Sequence, residues 1–136
     1  MDPVTVVSLV ASVAEIAFGV FINLNKFYRK VRDAPRQSKE LREELDSLVD
    51  ILADLQEALD KGLHTKGQEA LRKELEKMDC SLNDLHRRTI PKSTNYFIRR
   101  MQWPLLQEET ARIIKKIEYF KGKLNAILNM RQLYRS

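Results

Sequence analysis

Residues 38–61 read SKELREELDSLVDILADLQEALDK. The leucines at 41, 45, 48, 52, 55 and 59 step by four and three in turn, a sustained heptad seam with charged residues between. Such spacing puts one apolar stripe on a helix and presents it to a partner helix. The chain before this segment is broken by Asp33-Ala34-Pro35, because the residue preceding a proline avoids helical angles. The segment is therefore a helix starting at Pro35 or Ser38 and running to Lys61, with Gly62 as its terminator.

The same spacing recurs outward from it. After a loop over 62–67, Leu71, Leu75, Met78, Leu82 and Leu85 give a third helix ending near Arg88, stopped by Ile90-Pro91. Ser93 or Thr94 can cap a short segment from Asn95 to Gln102, ahead of the Trp103-Pro104 interruption. The last helix covers Leu106 to Leu133, its inner face reading Ile113, Ile117, Phe120, Leu124 and Ile127, widened by Ile114 and Leu128. At the other end, Asp2-Pro3 is a helix start, and a first helix from Pro3 to Arg32 is expected. No stretch alternates with a period of two. The fold class is all-α: a single domain over 1–136, an up-down-up-down bundle of four long helices plus one short helix.

Composition narrows the function classes. One cysteine, Cys80, excludes an internal disulfide and a multi-cysteine zinc site, and is expected to be half-buried beside its helix's apolar face. His64 sits in a loop; His86, among Arg87 and Arg88, reads as a solvated helix cap. There is no Gly-rich phosphate loop, nucleophile elbow or His-Glu-x-x-His motif, so no catalytic residue, cofactor site or metal site is assigned. The net charge of +5 is unevenly spread: residues 1–85 hold 12 Lys/Arg against 16 Asp/Glu, residues 86–136 hold 12 against 3. The carboxylates of the second helix (Glu40, Glu43, Glu44, Asp46, Asp50, Asp54, Glu57) and the cations of the last (Arg112, Lys115, Lys116, Lys121, Lys123) are expected to neutralise one another across the bundle. Nucleic-acid binding would want aromatics interleaved with exposed cations, and Phe120 belongs to the core stripe, so no nucleic acid is expected.

The first helix is different in kind. Between Val4 and Leu24 only Glu15 is charged, and twelve residues are Val, Leu, Ile or Phe, including Val13, Phe18 and Phe21. Thr5, Ser8, Ser12, Glu15, Gly19, Asn23 and Lys26 fall on one narrow arc, and the rest of the circumference is apolar. Such a helix is either buried centrally in a bundle or placed in a membrane. Its length of roughly 33 Å suffices for a hydrocarbon core of roughly 30 Å. The apolar side chains favour insertion by roughly 4–7 kcal/mol, and Glu15 opposes it by about 3 kcal/mol. Insertion of one copy is marginal, whereas several copies facing their small, polar stripes together would shield Glu15 from lipid. Lys26, Arg29, Lys30 and Arg32 would then lie at the headgroups on the cytosolic side.

Three stretches together resemble a known family: Met1-Asp2-Pro3 with the Val/Ala/Ser-rich helix after it; Val31-Arg32-Asp33-Ala34-Pro35 followed by Glu/Leu-rich heptads; and Arg99-Arg100-Met101-Gln102-Trp103-Pro104 with the helix carrying Ile117-Glu118-Tyr119-Phe120-Lys121. In order and spacing they resemble the HeLo-like (HELL) N-terminal domain of fungal STAND and NLR-like receptors and related cell-death effectors. The resemblance implies a non-enzymatic domain of programmed cell death, in heterokaryon incompatibility and innate immunity. It also implies that the domain is the N-terminal part of a longer multidomain protein, and is cytoplasmic at rest. On activation by a downstream receptor or effector domain it would oligomerise and engage anionic lipids of the plasma membrane, as pore-forming domains do, through the helix carried over to Val4–Leu24. Where members of the family carry several glycines in this helix, the chain has Gly19, with Ser8 and Ser12 at the other small positions. The alternative function is a scaffold bundle that binds other protein domains and never enters lipid.

Overall fold

A computed structural model describes residues 3–30, 36–61, 68–89 and 107–135, with side chains described over 6–26, at 36, and over 38–61, 69–89 and 108–129. The described chain is four helices: α1 Pro3–Lys30, α2 Arg36–Asp60, α3 Gln68–Thr89 and α4 Gln107–Arg135, with no strand among the described residues. The protein is an all-α four-helix bundle. The short segment expected over Asn95–Gln102 lies outside the described residues.

The seams explain the bundle. Leu41, Leu45, Leu48, Leu52 and Leu55 of α2 are fully buried, as are Leu75 of α3 and Leu124 of α4. Leu71, Met78, Leu82 and Leu85 complete the α3 seam, and Ile114, Ile117 and Phe120 complete that of α4. Each leucine taken out of water contributes about 1.5–3 kcal/mol. In α4 the two isoleucines exchange roles: Ile114 is buried, whereas Ile113 is only partly so. Helix ends are closed locally. The Lys61 N–H donates to the Glu57 carbonyl at 3.1 Å, and the Thr89 hydroxyl donates to the His86 carbonyl at 3.0 Å.

Paired positions fix the helix directions. Ser12 meets Asp79 and Gly19 meets His86, so both partners advance by seven and α1 runs parallel to α3. Arg88 pairs with Glu109 and Glu74 with Lys123, so α3 and α4 are antiparallel. Arg42, near the start of α2, donates to the Asn25 side-chain oxygen at 2.7 Å, near the end of α1. The up-down-up-down alternation of direction holds. Contacts, however, run α1 to α2, α2 to α4, α4 lightly to α3, and α3 back to α1. Helices α1 and α4 therefore occupy opposite corners, as do α2 and α3. Like each of the four, the first helix sits at a corner, and its interfaces with α2 and α3 are the two most extensive among the described residues.

Candidate functional site

Helix α1 carries the membrane candidates, and the bundle sorts them into two sides. Val6, Val10, Val13, Ala17, Val20 and Leu24 are fully buried, stepping by four and three like the α2 leucines. This seam was hidden in the sequence, because apolar residues surround it on both flanks. Its signal is composition: small or β-branched residues at heptad positions allow α1 to sit close to two neighbours. Of the candidates named above, Val13 and Leu24 are core, and Phe21 is half-buried against it.

The polar stripe divides along the helix. The Ser12 hydroxyl donates to the Asp79 carboxylate at 3.4 Å. A Cβ built on Gly19 would lie 3.5 Å from two ring atoms of His86, an ordinary contact distance. His86 is consequently packed against α1 and half-buried, a correction to its reading as a solvated cap. Ser8, Glu15 and Lys26 are exposed instead. Phe18 is exposed to 51%, the largest apolar side chain turned to solvent among those described on α1. Val4, Arg29 and Lys30 lie in α1 without described side chains, and Arg32 lies outside the described residues.

Within the span Val6–Lys26 an 18-residue stretch has a mean hydropathy of 2.0, and 28% of that stretch is buried in the bundle. The excess of apolar character over burial is the property that separates α1 from the other three helices. No second helix among the described residues is long and apolar enough to cross a membrane.

The charged helices pair more selectively than their composition implies. Lys121 of α4 reaches Glu44 of α2 at 2.7 Å and donates to the Ser47 hydroxyl at 3.1 Å. Lys123 meets Glu74 at 2.9 Å and lies over the Tyr119 ring, 4.7 Å from its centre. The Glu74 carboxylate first, then the Tyr119 hydroxyl, holds the Lys123 ammonium above its ordinary pKa. Glu40, Glu43 and Glu57 pair along α2 itself, with Arg36, Lys39 and Lys61. Glu44 is the α2 carboxylate that pairs with Lys121 of α4. The expected mutual neutralisation is partial.

Between α3 and α4 lies a cleft of about 320 Å³, with Met78, Leu82, Leu85 and Ile117 as its floor and the Arg88–Glu109 pair beside it. Its floor residues are at most 6% exposed, so little apolar surface is open there. Cys80, at the rim, is exposed and not half-buried as its sequence neighbours suggested: the heptad places Met78 and Leu82 inward and turns position 80 out. Among the described residues no group of three or more His, Cys, Asp or Glu is placed to hold a metal ion. No family model, no curated protein and no solved structure matches the chain.

Proposed function

We propose that the chain is a non-enzymatic membrane-targeting domain of the HeLo-like type, an executor of programmed cell death that rests as a cytoplasmic four-helix bundle. On activation, α1 leaves its corner, self-associates through its small, polar stripe and engages the plasma membrane, with Lys26, Arg29, Lys30 and Arg32 at anionic headgroups. The observation that carries this reading is the mismatch in α1: a span of membrane length holding an 18-residue stretch of mean hydropathy 2.0, of which 28% is buried. Release of α1 also frees α3, which is otherwise held only lightly by α4, so activation opens the bundle and leaves α2 on α4. The likeness of the three sequence stretches to fungal NLR-like receptors supplies the biological setting.

Phe18→Lys tests the proposal, because Phe18 faces solvent and its replacement leaves the bundle core intact. Exchanging a favourable apolar residue for a cation mid-span costs roughly 3 kcal/mol of insertion, about a hundredfold. Leakage from anionic vesicles and toxicity on expression should both collapse. If the variant leaks and kills like the wild type, α1 is not the active element. The complete burial of the α1 heptad seam is the observation that favours the scaffold alternative, in which α1 is permanently core. Absence of wild-type binding to any vesicle would favour that alternative.

A further inference from the structure

Of the five α4 cations with described side chains, three form no ion pair among the described residues. These are Arg112, Lys115 and Lys116, all exposed, unlike Lys121 and Lys123. With Tyr119 they stand at i, i+3, i+4 and i+7, within about a 100° arc of one helix face. Tyr119 is 65% exposed, one turn past Lys115 and Lys116, with the Lys123 ammonium over its ring. Exposed Glu108 lies in line one turn before Arg112, and Glu118 lies off the flank of the arc. The face is a short cationic stripe that ends on an amphipathic ring.

We infer that this α4 face is a peripheral dock for an anionic bilayer surface, separate from the α1 helix. The proposal rests on the membrane reading above and adds a second lipid-facing element to it. The charge is complementary to anionic headgroups, each near-surface cation being worth about fivefold in binding. A tyrosine at headgroup depth places its ring in the apolar edge and its hydroxyl in water. Because α1 and α4 occupy opposite corners, a domain docked through α4 holds Phe18 away from the bilayer. Docking and insertion are therefore successive events that different residues control.

The test uses the full chain and sedimentation with phosphatidylcholine vesicles, with and without phosphatidylserine, at low and high salt. The triple variant Arg112→Ser, Lys115→Ser, Lys116→Ser should bind phosphatidylserine vesicles about a hundredfold more weakly while keeping its helical circular dichroism. Phe18→Ser should bind like wild type and lose leakage. Unchanged binding by the triple variant overturns the proposal, as does equal wild-type binding to neutral vesicles. So does loss of binding on Lys26→Ser alone, although the membrane reading then survives. A wild type that binds an oligonucleotide through these cations, and no vesicle, makes the stripe a nucleic-acid face. A wild type that neither binds nor leaks any vesicle removes the membrane reading as well.

Discussion

Helices α1 and α2 pack by the same rule and differ in what they show to water. Each buries a seam stepping by four and three, Val6 to Leu24 in one and Leu41 to Leu55 in the other. Outside the seam, α2 is charged: Glu43, Asp46, Asp50 and Asp54 are all exposed. Its environment is fixed, because turning it in any other direction would bury carboxylates without partners. Outside its seam α1 carries Phe18, with Ile16 and Phe21 half-buried. Rotating α1, or moving it into lipid, costs it far less. The contrast teaches that a buried seam fixes a helix's place only when the opposite face refuses every other place.

The comparison can be broken or sharpened by substitution, beginning with the leucine seam. Leu52→Ala, at a fully buried position, should cost about 2–5 kcal/mol in urea denaturation. A cost below about 1 kcal/mol would mean that the α2 seam is no more committed than that of α1. Gly19→Ala should stabilise the bundle by about 0.5–1 kcal/mol, since alanine favours a helix interior and its Cβ meets His86 at an ordinary 3.5 Å. A lowered melting temperature would instead show that α1 and α3 require the closer approach. Phe18→Ser should change stability by less than about 0.5 kcal/mol, the range of exposed sites. A larger loss would place Phe18 in the core and erase the distinction between the two helices.

Legibility in the sequence followed the strength of the pattern. The α2 and α3 seams could be read residue by residue, because leucines alternated with charges and left one possible face. In α4, Ile113 and Ile114 are adjacent and equally apolar, so periodicity alone did not decide which turns inward; Ile114 does, and Ile113 faces the α3–α4 cleft. In α1 the apolar flanks concealed the seam altogether, and Val13 read as a membrane residue although the bundle buries it completely. Ser12 and Gly19 read as a self-association stripe, and within one copy they already meet Asp79 and His86. The ion pairs were legible as a balance of charge and not as partners: Lys121 finds Glu44 because α2 and α4 are neighbours.

By itself, then, the sequence determined the helices, their approximate ends and the apolar excess of α1, since these depend on local periods and on chain breaks at proline and glycine. Only the tertiary structure decided the order of helices round the bundle, which placed α1 at a corner beside α3 and left Arg112, Lys115 and Lys116 without ion partners among the described residues. The physical reason is that a heptad seam states that a helix has a partner and says nothing of which one. That choice is made by how four seams of different bulk fit together.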